Sequence, residues 1–595
     1  MHISNRLDGS STIQKRKTGR GEMIRKPLHP FNIARLMIIL ASLLYSSSTY
    51  AGIDRGDAPD GVTGETALVW VFFSEKSGTP ALRRDISERA VKRIRGRSAE
   101  TASTPVVMQV REDYIEAVRE YAERIRNVSN YFNAVSAEVK RSRISDMARL
   151  DFVKKIERVA VFRRKPFKGG EHETLRPLYG DPLYTRYGES LEQLEMVQGS
   201  DLLEEGINGS GESGDSGPVR ICLLDSGFDL DHEAFQSLNL LAQYDFIQDD
   251  SITSNQEGDD PSQDRHGTVV LGAIAGYKEG TLLGPAWGAE YLLGKTEIVD
   301  REIIIEEDNW IAGLEWADSA GADIVSSSLG YYQWYEKEDM DGRTALCSRA
   351  AAKAASMGIL VVTAVGNLGY QGDTTLIAPS DADSIIAVGG VYGTGSISYN
   401  SSRGPSADGR IKPEVVAMGV DVYSVDAGTY SGYARFGGTS LATPLVAGVC
   451  AQVLEVNPLI SVIELRERII NTATRSSNPD NSYGYGIVQG ADAAGIQLPQ
   501  GQEDITIKFL GSNPFGDNVE FELYSPLWSE LSVNIYDCRG RLVIKLMEYQ
   551  VIKYQAELSW DGRDIYGRRV NAGIYFLSVF NSGELVAGRK LVFIP

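Results

Sequence analysis

The sequence predicts an α/β protein: a parallel sheet flanked by helices, with a small α+β domain before it and an all-β domain after it. Three observations carry this. Between 219 and about 495, short continuous apolar runs alternate with helical patterns, as buried parallel strands and their crossovers require. The stretch before it is basic and mixes strand and helix patterns. The last ninety or so residues alternate apolar and polar positions between turn signals. At 595 residues, 42% of them hydrophobic, the chain has the material for several cores.

Basic residues precede the apolar stretch Leu36 to Tyr45, and small residues follow it up to Ala51. That order reads as a secretory signal peptide over 1–51. The apolar run is too short for the roughly 20 residues that span a bilayer, and no later segment is read as a membrane span. The chain is therefore expected to be secreted or held at a cell surface.

From 52 to 170, 24 Lys plus Arg stand against 17 Asp plus Glu, although the whole chain carries a formal net charge of -20. A basic domain thus precedes an acidic remainder, and the two attract. Ala67 to Phe73 reads as a strand. Ile115, Val118, Ala122 and Ile125 fall on one helical face, and Tyr131 to Val139 and Phe152 to Phe162 read as further strands.

Residues 171–218 are expected to be a linker and N-terminal extension, ending in a glycine-rich run. Gly209 to Gly214 fits GxGxxG, but a strand follows it instead of preceding it, which is the wrong context for dinucleotide binding. Val219 to Leu224, Ala322 to Ser326, Gly358 to Thr363 and Ser384 to Val388 are the expected buried strands, and Trp310 to Ala320 and Thr344 to Met357 are expected crossover helices. Turns at Asp537 to Gly540 and Asp561-Gly562 punctuate the tail, read as a β-sandwich over 499–595.

The acidity argues against nucleic acid as a partner, since phosphate contacts need clustered positive charge. Four widely spaced cysteines suggest neither a zinc knuckle nor a disulfide framework; Cys222 and Cys450, inside apolar runs, read as small buried side chains, and Cys347 and Cys538 are left open.

Peptide hydrolysis at neutral pH needs a nucleophile, a base, a group that orients the base, and donors for the developing oxyanion. Asp225 ends an apolar strand, where ligands gather in an open α/β sheet. His266 lies in Asp264 to Gly276, whose small residues let a helix pack closely with the imidazole at its start. Of five histidines, His2 and His29 precede the expected signal cleavage, His172 is in the linker, and His232 in a polar loop reads as solvated or capping. Ser440 follows the glycine turn Gly437-Gly438 at the head of an apolar helix, where free amides favour an oxygen anion. Asn367 follows a buried strand and carries a neutral amide donor.

Together these motifs resemble the subtilisin-like (S8) serine peptidases in residue type and in the order Asp, His, Ser, over about 219–498. The resemblance implies a subtilisin-like fold, a secreted serine endopeptidase, Asp225, His266 and Ser440 as its triad, and Asn367 as an oxyanion donor. It further implies that Ser328, Leu329 and Gly330 bind the substrate main chain as an added strand. No cofactor is implied for the chemistry and no metal residue is assigned, although the acidic loop Asp249 to Asp264 is a calcium candidate. Residues 52–170 resemble the family's inhibitory propeptides, through Phe132 to Ala137 and Val153 to Phe162, which implies a zymogen cut between about 163 and 185. The tail resembles FlgD-like or type IX secretion sorting domains, through Asn513-Pro514-Phe515, Ile535 to Gly540, Trp560 to Gly562, Gly573 to Phe576 and Arg589 to Val592, and implies secretion machinery as a partner. A catalytically silent relative is opposed by the complete residue set, and an acid peptidase with Glu for His by His266 and Asn367.

Overall fold

The computed structural model describes residues 65–74, 86–97, 109–158, 186–212, 217–299, 305–496, 505–581 and 583–595. The expected signal peptide, the expected processing zone 163–185 and His172 lie outside the described residues.

The N-terminal domain is a four-stranded antiparallel sheet of order β2-β3-β1-β4, with β1 (Thr66–Phe73), β2 (Ala122–Ser129), β3 (Ala134–Lys140) and β4 (Val153–Arg158), and helices α1 (Glu88–Arg97) and α2 (Glu112–Arg119). The unbroken apolar run of β1 arises because both of its faces are covered. Ala67, Val69, Val71 and Phe73 pack on Val118 and Val135 inside this domain, while Leu68, Trp70 and Phe72 join a cluster with Trp310, Leu314 and Ala351 of the following domain. The expected helical face through Ala122 and Ile125 is corrected here. The helix stops at Arg119, and both residues lie in β2, where pairing along β3 outweighs local helical spacing.

Part of the expected linker is folded: α3 (Leu191–Met196) and α4 (Gly199–Glu204) bury Leu194, Met196 and Leu202 completely. The central domain then builds a seven-stranded sheet with β5 (Arg220–Asp225), β6 (Asn239–Asp245), β7 (Glu290–Lys295), β8 (Ile324–Ser327), β9 (Leu360–Ala364), β10 (Ile386–Val391) and β11 (Val415–Met418), in the order β11-β10-β9-β8-β5-β7-β6. Every pairing is parallel, so all carboxyl ends lie along one edge. Helices α5 (Arg265–Ala275) and α8 (Thr439–Val456) belong to the core on one face, and α6 (Ile305–Ala320) and α7 (Leu346–Ser356) to that on the other. Among the described residues α8 alone is long and apolar enough to cross a bilayer, and 89% of it is buried inside the protein.

The tail forms five antiparallel strands, β12 (Thr506–Phe509), β13 (Val519–Asp537), β14 (Leu542–Trp560), β15 (Gly573–Asn581) and β16 (Glu584–Phe593), around Phe515, Trp560 and Phe593.

Candidate active site

Asp225 is the last residue of β5, which runs between β8 and β7 near the middle of the sheet. Its carboxylate is 1% exposed, whereas the His266 side chain is 41% exposed, so only the imidazole can be reached from outside. Asp225 Oδ1 accepts from the Ser226 N–H at 2.7 Å and lies 2.7 Å from His266 Nδ1. A carboxylate can only accept, so Nδ1 carries the hydrogen and Nε2 is left basic. The approach depends on Gly267. A Cβ there would collide with Gly227 O and come within 3.0 Å of Asp225 Cβ, so only glycine lets the first turn of α5 abut the Asp225 turn.

The loop before α5 is fixed at several points. The Gln263 amide donates to Ser226 O at 2.6 Å and Glu297 O at 2.5 Å, and the Phe228 N–H donates to Thr253 O at 2.8 Å. Asp264 and Asn255 exchange hydrogen bonds at 3.0 Å, and partial burial raises the Asp264 carboxyl above its ordinary value. Lys295, level with Asp225 in the sheet and wholly buried, places Nζ 2.8 Å from Asp245 and 2.7 Å from Asp259. Burial alone would lower its ammonium, but the two carboxylates outweigh that and hold it above the ordinary lysine range. This internal cation occupies the acidic loop considered for calcium. The charge that would draw a divalent ion is already partly neutralised there, and among the described residues no three His, Cys, Asp or Glu side chains are grouped to hold a metal.

Ser440 is the second residue of α8, after Gly438 at φ 138°, a backbone region that residues with a Cβ rarely adopt. Pro444 has no N–H for the Ser440 carbonyl. The Ser328 hydroxyl serves that oxygen instead, at 2.7 Å, while Ser440 Oγ donates to Ser328 O at 3.3 Å. The nucleophile candidate and the segment Ser328 to Gly330 are thereby joined in both directions. Asn367, three residues beyond β9, receives the Thr439 N–H on Oδ1 at 3.0 Å, so it too is tied to the head of α8.

All four expected chemical groups therefore lie at the carboxyl edge of the sheet or at helix starts facing it. The chain also matches known proteins here. The sequence pattern described as the subtilase family matches residues 216–486, and the one described as the Peptidase S8 propeptide domain of Bacteroidota matches 68–172. Subtilisin E of Bacillus subtilis (strain 168) is 32% identical over 320 residues, covering 53% of this chain and 74% of that protein. Subtilisin DY of Bacillus licheniformis is 32% identical over 272 residues, or 45% and 87% of the two chains.

The chain belongs to the subtilase family. Subtilisin of Bacillus pumilus, also 32% identical, is covered over 97% of its length. This subtilase is a serine endopeptidase with a propeptide domain.

The remaining candidates have structural roles. His232 is buried and caps a short 3-10 turn. Its Nδ1 accepts from the Ala234 N–H at 3.2 Å and Nε2 lies 2.8 Å from Gly432 O, which leaves neither nitrogen for a substrate. The glycine run holds an internal anion, with Gly209 and Gly211 N–H groups donating to the Glu455 carboxylate at 2.6 and 3.0 Å. Cys222, Cys347 and Cys450 are buried free thiols, raised by burial, and Cys538 is exposed. Sequence reading missed Lys295, Gln263 and Thr439. A lysine ending an apolar strand was the available signal for the first.

Proposed function

We propose that this subtilase cleaves peptide bonds in proteins through an acyl-enzyme, with Ser440 as nucleophile, His266 as base, and Asp225 as the group that orients and charge-stabilises the imidazole. The observation that carries the reading is the 2.7 Å contact between Asp225 Oδ1 and His266 Nδ1, which leaves Nε2 to take the Ser440 proton and return it to the leaving amine. Asn367 Nδ2 and the Ser440 N–H receive the oxyanion, and Ser328, Leu329 and Gly330 pair with the substrate main chain. Water then attacks the acyl-enzyme, His266 takes its proton and returns it to the departing Ser440 oxygen, and the acid product is released; no cofactor is proposed for these steps.

The proposed order is a signal peptide at 1–51, an inhibitory propeptide at 52–170, a linker and extension at 171–218, the peptidase domain at 219–498 and a sorting domain at 499–595. The enzyme is made as a zymogen that cuts itself between about 163 and 185. It is exported, with the tail addressing it to type IX-like secretion machinery. The motifs quoted from the tail support that address, and the partner classes are protein substrates and the enzyme's own propeptide.

The test is self-processing. Purified wild-type precursor loses its N-terminal domain and then hydrolyses peptides, whereas Ser440→Ala stays full length. Equal maturation of the variant would sink the reading. Export is tested separately by removing 499–595, which leaves peptide hydrolysis intact and retains the enzyme in the cell.

A further inference from the structure

Helix α1 of the propeptide carries Arg89, Arg93 and Arg97 at intervals of four, which places them along one side of the helix. Each reaches the peptidase domain, at the end of the sheet opposite Asp225. Arg93 is 4% exposed, pairs with the Asp318 carboxylate and donates to Ala322 O at 2.7 Å and Met357 O at 3.4 Å. Arg89 bonds Asp323 Oδ2 and Pro218 O, both at 2.5 Å, and lies 3.9 Å from Glu290. Arg97 bonds Asp323 Oδ1 at 2.6 Å and Pro458 O at 3.0 Å.

These acceptors form a pattern. Asp318, Ala322, Met357 and Pro458 lie at or just beyond the carboxyl ends of α6, α7 and α8, where unpaired carbonyls and helix dipoles concentrate negative charge. With Asp318, Asp323 and Glu290 they make an electronegative recess whose geometry suits guanidinium forks. The helix approaches closely at Gly321, which has a positive φ: a Cβ there would come within 2.9 Å of Ser87 Oγ and 3.1 Å of Ala90 N. Asp323 precedes β8, and the catalytic edge begins after Ser327, about 13 Å further along the strand at roughly 3.3 Å per residue. Contacts in this recess cannot act by filling the cleft.

We propose that α1 is a second docking element of the propeptide, which keeps the cleaved propeptide on the enzyme by charge pairing in this recess, independently of the active-site edge. The inference rests on the propeptide being cut from the enzyme, and its test avoids the enzyme's own chemistry. Full-length Ser440→Ala precursor with one inserted cleavage site between 163 and 185 is cut by an added protease. Release of the propeptide is then followed by size-exclusion chromatography at about 50 mM and about 500 mM NaCl, either side of the range in which exposed charges are screened. The cut propeptide is expected to leave faster at high salt than at low salt, because the partly exposed Arg89 and Arg97 pairs are screened while the apolar face of β1 and the buried Arg93 pair are not. Arg89→Gln with Arg97→Gln is expected to speed low-salt release about ten-fold or more, and Arg93→Gln about 100-fold, because it strands a buried carboxylate. Arg119→Gln, on the exposed side of the propeptide, is the control and leaves release unchanged. Should Arg93→Gln not fold, the Arg89/Arg97 pair decides. Release from that pair at the wild-type rate, or wild-type release indifferent to salt, would overturn the proposal. Failure of self-processing in the active enzyme would instead count against Ser440.

Discussion

The Thr439 main-chain N–H and hydroxyl both donate to Asn367 Oδ1, at 3.0 and 3.3 Å. An N–H can only donate, so the carboxamide cannot be flipped, and Nδ2 is the end left for a substrate oxygen. Asn367→Ala is expected to lower kcat roughly 10² to 10³-fold with little change in KM, a magnitude taken from subtilisin, a member of this family. Steady-state kinetics on a short peptide check it. A change confined to KM would remove Asn367 from the oxyanion site.

Ile377 fills the space between Gly330 and Gly366. A Cβ on Gly330 would strike Ile377 Cδ1, and one on Gly366 would come within 3.0 Å of the same atom. A substrate side chain entering between these segments meets a buried isoleucine. Peptides with a small residue on the acyl side of the cut bond are therefore expected to be preferred. Ile377→Gly should raise kcat/KM for phenylalanine relative to alanine there by about ten- to 100-fold. An unchanged ratio across a peptide series would show that the pocket lies elsewhere.

Lys295→Met leaves Asp245 and Asp259 facing each other without their shared ammonium. Loss of one member of a buried charge cluster costs about 3–5 kcal/mol, and the expected result is a clear fall in Tm. Adding Asp245→Asn and Asp259→Asn to the same variant should recover part of it. A thermal melt indifferent to Lys295→Met would mean that the loop is held by its other contacts.

Acid is not expected to release the propeptide. Asp308 of α6 accepts from Ser136 Oγ at 2.7 Å and lies 3.5 Å from Arg126 Nε, both in the propeptide. Burial raises its pKa despite Arg126, so docking takes up a proton. This contribution is fully present below the ordinary value and is lost as pH rises through the raised one. Burial would raise Asp323 too, but Arg97 and Arg89 outweigh it and hold the carboxyl low. That contribution is present above the ordinary value and is lost only as pH falls through the lowered one. Between about pH 7 and about pH 4.5, above the ordinary carboxylate range, release should slow or stay constant. Faster release at about pH 5 than at about pH 7.5 would contradict this.

The sheet was legible because each central strand is buried on both faces, which writes a continuous apolar run into the sequence. The site candidates were singled out by related local signals: Asp225 and Asn367 follow such runs, Ser440 follows a glycine turn, and His266 precedes the small residues of a closely packed helix. Ala122 and Ile125 misled because their spacing fits a helix, while the pairing that decides their state lies in β3. Lys295 was hidden because its partners are 36 and 50 positions earlier in the chain, and no local pattern predicts a distant ion pair. The arginine spacing of α1 was visible, but its meaning depends on three helix ends that meet only in the folded protein.

Tyr187, wholly buried, donates its hydroxyl to Glu204 at 2.5 Å, and it packs with Leu194, Leu203 and Leu283. A protease must pull several residues into extended form to cut them, and this tyrosine cannot leave without opening its cluster. However raggedly the propeptide is removed, nibbling of the new chain end should stall just ahead of Tyr187. The mature enzyme would then have a defined first residue set by its own packing, not by the specificity of whatever trims it.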